Sequence, residues 1–125
     1  MADSAPLAPD RRGAARRPLA TGLLPPRALP LRKARAAAEC STLEQLPNIG
    51  PSLAGDLRLL GIVHPCELAE RDAFALYRAL CTTTGKRQDP CVLDTFIAAV
   101  DFMRGGEPRP WWLYTAQRKI DHPGI

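Results

Sequence analysis

The sequence lacks any closely spaced pair of cysteines. Its four cysteines are separated by 26, 15 and 10 positions, and this spacing fits no zinc or iron–sulfur site. Most of them lie in or beside apolar helical patterns, where a free thiol acts as a small hydrophobic group. We therefore expect no metal site and a reducing, cytoplasmic setting. Buried structural thiols are the favoured interpretation of the cysteines, and a redox or catalytic cysteine is the alternative. The four residues are Cys40, Cys66, Cys81 and Cys91.

A long apolar run is also missing. The apolar stretch "GLLPPRALP" at residues 22–30 is interrupted by prolines, whereas a membrane-spanning helix needs roughly 20 consecutive apolar residues. We expect no membrane association and no secretory signal. The Arg-rich, acid-poor composition leaves an organellar transit peptide open. The favoured interpretation of residues 1–40 is a disordered basic tail or an over-extended gene start.

The rest of the chain lacks an excess of positive charge. The whole sequence carries a formal charge of +4, but residues 41–125 hold nine Lys and Arg against ten Asp and Glu. Most non-specific affinity for DNA comes from Lys and Arg that neutralise phosphates. The tail therefore accounts for the basic character of the protein, and the folded part is close to neutral.

Strand-like alternation is absent after residue 40, and helix start and stop signals replace it. Capping residues, first-turn prolines and terminal glycines mark five helices, the first of them with Ser41 and Glu44 at capping-box spacing. The starts are Ser41, Pro51, Pro65, Asp72 and Asp89, and four ends are marked by Pro47, Gly61, Gly85 and Gly105. We predict an all-α fold, a compact five-helix bundle with an aromatic C-terminal extension over residues 41–119, and a flexible end at residues 120–125.

The stretch "LPNIGPSLAGDLRLLGI" at residues 46–62 resembles the helix-hairpin-helix motif, in which two helices flank a tight turn. The matching positions are Leu46, Pro47, Ile49, Gly50, Ala54 and Leu57. The segment "TTTGKRQDP" at residues 82–90 lies where a second, degenerate hairpin would fall in the paired form of the motif. The resemblance implies a bundle of the tandem helix-hairpin-helix type.

Residues 42–119 as a whole resemble the pathogenicity-locus family of small bacterial proteins, some of which are labelled mitomycin-resistance proteins. The resemblance is carried by "LPNIGP", "LRLLGI", "DPCVLD", "AAVDF" and "WW" followed by "RK". It implies a helix-hairpin-helix fold and a link to DNA.

The turn before Pro51 is the first candidate DNA-binding site. The first turn of a helix has backbone N–H groups without helical partners, which suit an anion, and Gly50 would permit a positive φ and a close approach of phosphate. DNA-binding members of the motif class hold a phosphate here, often with a bound monovalent cation, which is the one cofactor that the resemblance implies. The candidate phosphate-binding residues are Asn48, Ile49, Gly50 and Ser52.

Three features of this turn favour a purely structural elbow instead. Asn48 replaces the first glycine of the motif, and no Lys or Arg directly follows the turn. The next helix presents Asp56 beside Arg58, so the local charges cancel. Both interpretations of the turn stay open on the sequence alone.

A second candidate site combines the later turn with basic and aromatic residues near the C-terminus. The turn supplies Gly85, Lys86 and Arg87, and the alternative for it is an ordinary solvated turn. The auxiliary candidates are Arg58, Arg109, Trp111, Trp112, Arg118 and Lys119. A basic–aromatic cluster can stack an unpaired base, although tryptophans can equally cover an open edge of the core.

Two functions follow from these patterns. The first is a non-enzymatic accessory protein that binds DNA independently of sequence, because phosphates carry no base information. The alternative is a protein–protein module that docks on a DNA-processing or transcription complex. We expect neither an enzyme nor a small-molecule substrate, because no nucleophile motif, carboxylate pair or phosphate-binding glycine loop is present beyond the hairpin.

Overall fold

The computed structural model describes residues 32–125, and within this range all regular structure is helical. The α-helices are α1 (Pro51–Leu59), α2 (Ala73–Thr84), α3 (Pro90–Met103) and α4 (Thr115–Asp121). Short 3-10 helices span Ala37–Glu39, Leu43–Gln45, Pro65–Glu70 and Trp111–Tyr114. The prediction of an all-α fold is confirmed. Over the same residues, no helix combines the length and apolarity needed to cross a bilayer.

The predicted caps set the starts of the two longest helices. The Asp72 carboxylate accepts a hydrogen bond from the Ala75 amide at 3.0 Å, and the Asp89 carboxylate accepts one from the Cys91 amide at 2.8 Å. Gly85 ends α2 with a φ of +72°, a conformation that glycine adopts without strain. Local signals are sufficient here because each cap lies within three residues of the group it binds.

The first predicted helix is a single 3-10 turn, and its capping box lies one residue later than the sequence spacing indicates. Thr42, not Ser41, is the N-cap, and the Gln45 side chain accepts a hydrogen bond from the Thr42 amide at 3.0 Å. The buried Leu43 begins the turn, which fixes the extended residue before it as the cap. Glu44 therefore does not cap this turn, and its carboxylate pairs with Arg58 instead.

The core is built around α3. This helix packs against α2, α4 and the 3-10 helices at 65–70 and 111–114, so most of its surface is covered. One apolar stripe of α3 comprises Leu93, Phe96, Ile97, Val100 and Met103; it is buried except for the half-buried Ile97, and further side chains beside it are buried too. These additional residues are Asp94, Thr95, Ala98, Ala99 and Phe102.

Ordered contacts extend beyond the predicted limits of residues 41 and 119. On the N-terminal side, Ala34 and Cys40 are buried in the core. On the C-terminal side, the His122 ring stacks on Phe74 with centroids 4.1 Å apart, and Ile125 packs against the core. Residues 32–40 therefore do not belong to a disordered tail. For residues 1–31, which lie outside the described residues, the disordered tail stays a prediction.

Candidate nucleic-acid interface

The first turn, residues 46–50, alternates buried and accessible positions. Leu46, Pro47 and Ile49 are buried, whereas Asn48 is half-buried and Gly50 is exposed. The three buried side chains anchor the turn to the core. The turn is thereby packed on the core, with Asn48 and Gly50 at the surface.

The backbone of this turn differs from the sequence prediction. Gly50 would permit a positive φ but does not adopt one: it has a φ of −95° and a ψ of −173°, which any residue adopts. The positive φ lies at Asn48, with a value of +69°. Asparagine is one of the few side chains that tolerate this region, so the residue that replaces the motif glycine still performs its conformational role.

The N-terminus of α1 is open. Gly50 is its N-cap and Pro51 follows. No side chain among residues 32–125 caps the backbone amides at the N-terminus of α1. A Cβ added to Gly50 would find no heavy atom within 4 Å outside its chain neighbours, and Ser52 is exposed. A group from solvent can therefore reach the first-turn amides.

Asn48 connects the first turn to the C-terminal extension. Its Nδ2 donates a hydrogen bond to the Arg109 carbonyl oxygen at 2.8 Å. This contact brings two of the predicted site residues together although they lie 61 positions apart in the chain. Arg109 is exposed and therefore places a cationic residue at the edge of the turn.

Lys33 contacts the first turn, and the sequence patterns missed this contact because they assigned residues 1–40 to a disordered tail. Its ammonium donates three hydrogen bonds to backbone carbonyl oxygens, those of Glu44 at 2.9 Å, Leu46 at 3.0 Å and Ile49 at 2.6 Å. Partial burial lowers the pKa of Lys33, while the neighbouring Cys40 and Glu44 act in the opposite direction. The lysine thus ties residues before the bundle to the first turn.

Arg58 is engaged in an ion pair across the first turn. Its guanidinium donates to both carboxylate oxygens of Glu44 at 2.8 and 2.9 Å. This hydrogen bonding is the main cause of a lowered pKa at Glu44 and a raised pKa at Arg58. The pair joins α1 to the preceding 3-10 turn, and the positive charge of Arg58 is locally balanced.

The second turn presents its basic residues to solvent. Lys86 and Arg87 are exposed and border an open cavity of about 420 Å³ that Tyr77 and Cys81 also line. The amides at the start of the following helix are less accessible than those of α1, because Asp89 caps them. Hydrogen bonds from Cys91 are the main cause of a lowered pKa at Asp89. This turn therefore offers side-chain charge but not an open helix N-terminus.

The two tryptophans differ in exposure. Trp111 is half-buried, whereas Trp112 is 60% exposed, and their rings meet edge to face with centroids 5.8 Å apart. Trp111 therefore covers an edge of the core, whereas Trp112 is accessible for stacking on a ligand. Trp112 lies three residues after Arg109, which itself contacts the first turn.

Arg118 and Lys119 are neighbours in sequence with opposite environments. Lys119 is exposed, but Arg118 is 7% exposed and donates to both oxygens of Asp94, at 2.8 and 3.2 Å. The Asp94 carboxylate also accepts a hydrogen bond from the Thr115 hydroxyl at 2.7 Å. Arg118 is thus positioned to hold α4 on α3 and is not accessible to a phosphate, which corrects its assignment as an auxiliary DNA contact.

Comparisons with known proteins cover most of this domain. A family model described as "Pathogenicity locus" matches residues 36–120, which include both turns and α3. The mitomycin resistance protein McrB of Streptomyces lavendulae is 41% identical over 83 residues, which make up 66% of this chain and 79% of that protein. No solved structure matches the chain. The chain belongs to the pathogenicity-locus family.

Proposed function

We propose that this chain is a non-enzymatic accessory protein of helix-hairpin-helix type that binds DNA independently of sequence. The observation that carries the proposal is the open N-terminus of α1. Gly50 is the N-cap there, and no described side chain caps the amides of the helix start. Amides at such an end suit an anion. By contrast, Asp72 and Asp89 already occupy the corresponding positions of α2 and α3. A DNA phosphate would take the place of a cap on α1.

Residues around this helix end supply charge and a stacking surface. The Asn48 contact keeps the exposed Arg109 at the first turn, and Trp112 adds an exposed ring nearby in the chain. Lys86 and Arg87 on the second turn provide two further exposed cations. Contacts to phosphates and to base faces carry little sequence information, so we expect binding to be non-specific.

The Streptomyces relative supports a role in tolerance of DNA damage. That protein is named for resistance to mitomycin, a drug that damages DNA. We infer that this chain acts on DNA in the bacterial cytoplasm, without a small-molecule substrate. A strain that lacks the protein should then be more sensitive to mitomycin, and a variant with a blocked first turn should not restore resistance.

The proposal is tested by fluorescence anisotropy of a short labelled duplex at several salt concentrations. The full chain is compared with residues 32–125, a boundary that keeps the buried Ala34 and Cys40. The shorter chain should still bind, with a weaker salt dependence, because each phosphate contact contributes about 0.9 to the slope of log K against log salt. No binding by residues 32–125 at low salt would contradict the proposal.

Two matched valine variants locate the contact. Gly50 and Gly55 are both exposed, and an added Cβ has no heavy atom within 4 Å at either position. Gly50→Val should block the approach of a phosphate to the α1 amides and weaken binding roughly tenfold, the cost of about one hydrogen bond to a charged group. Gly55→Val, in the middle of α1, should leave affinity unchanged. If both substitutions changed the affinity for DNA equally, the first turn would not be part of the interface.

A protein–protein module remains the second candidate because of exposed apolar side chains at the C-terminal end of α1. Leu59, the last residue of α1, is 57% exposed, and Val63, four residues later, is 73% exposed. The near-neutral charge of residues 41–125 also fits a protein partner better than DNA. If only the full chain binds the duplex, the tail accounts for DNA affinity and this second function is favoured for the domain.

A further inference from the structure

The Lys33 ammonium lies among three backbone carbonyl oxygens of the first turn and of the 3-10 helix that precedes it. The three oxygens belong to Glu44, Leu46 and Ile49, and they lie 2.6 to 3.0 Å from Nζ. A lysine ammonium has three N–H donors and no acceptor, so these three carbonyl oxygens use all of its hydrogen-bonding capacity. The Leu46 carbonyl oxygen also accepts a hydrogen bond from the Ile49 amide at 3.2 Å. This bond closes the turn around the Lys33 ammonium.

This arrangement is a ligand set for a monovalent cation. Backbone carbonyl oxygens that converge on one centre replace the hydration shell of K⁺ in proteins, and an ammonium group is close to K⁺ in size. The carbonyls come from the end of a short helix and from the turn after it, where they have no helical partners. Three such dipoles directed at one point repel each other unless a positive charge lies between them.

We propose that Lys33 is the resident cation of the first turn, occupying a carbonyl site that would otherwise bind a monovalent metal ion from solution. The turn therefore keeps its shape and a fixed positive charge whichever salt is present. That charge lies against the Ile49 carbonyl, next to Gly50 at the start of α1. The lysine deepens the proposed phosphate-binding role of this turn, but its test involves no DNA, so either proposal can fail alone.

The test is the thermal unfolding of the full chain and of Lys33→Met in KCl, NaCl and choline chloride at equal ionic strength. Methionine retains the lysine stem as far as Cε and removes the ammonium. The parent protein should give the same Tm in all three salts. The variant should lose about 4–8 °C or more in choline chloride, because choline is too large to enter the carbonyl site, and KCl should restore a clear part of the loss.

Lys86→Met is the matched control, because Lys86 is an exposed lysine of the second turn. It should change the Tm in none of the three salts. An unchanged Tm for Lys33→Met in choline chloride would overturn the proposal. A lower Tm that no alkali cation raises would also overturn it, since the lysine would then be an ordinary hydrogen-bond donor.

The parent protein provides a second test if Lys33→Met does not fold. The chain contains three lysines, Lys33, Lys86 and Lys119. In the NMR spectrum of protein labelled with ¹⁵N-lysine, only the ammonium held by three carbonyls should exchange slowly enough with water to give a sharp signal. One such signal, absent from a Lys33→Arg sample but present in Lys86→Met, supports the resident cation. Its absence from the parent protein overturns the proposal.

Discussion

Replacement of Arg118 by methionine would remove the guanidinium from a buried ion pair and leave its partner uncompensated. The side chain of Asp94 is fully buried and that of Arg118 is 8% exposed. Without the guanidinium, the Asp94 carboxylate keeps the hydrogen bond from the Thr115 hydroxyl at 2.7 Å but loses its opposite charge. We expect a large loss of stability and no direct loss of a DNA contact.

The magnitude follows from the burial of the pair. Removal of one partner from a buried ion pair costs about 3–5 kcal/mol, because the remaining charge is desolvated without compensation. A domain the size of residues 32–125 has a total free energy of unfolding of about 5–14 kcal/mol. The substitution should therefore remove a large fraction of the stability and lower the Tm by more than about 10 °C.

Urea unfolding followed by circular dichroism measures this change directly. Lys119→Met is the control, because the neighbouring lysine is exposed, and we expect it to change stability by less than about 0.5 kcal/mol. The double variant Asp94→Leu with Arg118→Met replaces both charges by apolar groups. It should be more stable than Arg118→Met alone, since a well-packed apolar pair can equal or exceed a buried ion pair.

A loss of less than about 1 kcal/mol for Arg118→Met would refute this reasoning. It would mean that water or an alternative donor reaches Asp94, and that α4 is less firmly packed on α3 than the geometry indicates. Arg118 would then return to the set of residues accessible to a nucleic acid.

Two further predictions concern the first turn and alkaline pH. Asn48→Ala should destabilise the domain by about 1–2 kcal/mol more than Asn48→Gly in urea unfolding, since both lose the bond to Arg109 but only alanine is strained at positive φ; equal losses would contradict this. Burial, and then the hydrogen bond to Asp101, raise the pKa of Tyr114 from 10.0 to about 12. Because the folded-state pKa is the higher one, the contribution of Tyr114 to stability is complete below about pH 10 and is lost toward pH 12. A pH titration of tyrosinate absorbance should show this late ionisation in the parent protein and a smaller late amplitude in Tyr114→Phe, which retains Tyr77, whose pKa burial also raises; ionisation of both tyrosines near pH 10 would contradict it.

Sequence patterns predict α1, α2 and α3 well because the signals of these helices are local, whereas α4 is predicted only as part of an aromatic C-terminal extension and a flexible end. The Asp72 and Asp89 caps bind amides two or three residues away, and Gly85 acts at the turn that it ends. The pattern of α3 is informative in a second way. Only two of its residues, Asp94 and Asp101, carry a charge, which is typical of a helix covered on most sides. A carboxylate in such a helix needs a buried partner, and this signal points to Asp94 without identifying Arg118.

The contacts that define the candidate site are not local, and sequence patterns could not find them. Lys33 reaches carbonyls 11 to 16 positions away, and Asn48 meets Arg109 across 61 positions. Neither pair lies within one helix or hairpin, so no periodicity or capping rule connects them. Sequence patterns also could not show that Arg118 is buried and Lys119 is exposed. The helix α4 is short and has no apolar stripe of its own, so contact with α3 determines which of its faces is buried.

The way in which the basic residues are used bears directly on the choice between DNA and a protein partner. Lys33, Arg58 and Arg118 all bind groups of the protein itself, so their charges stabilise the fold first. Among the candidate site residues, exposed cations remain at Lys86, Arg87, Arg109 and Lys119, and they are spread over separate elements. Residues 41–125 are close to neutral, so charge density alone would hold DNA weakly. In the proposed DNA-binding role, the domain would instead use the directed amides at the start of α1, and its affinity should depend more on the backbone at Gly50 than on any single lysine or arginine.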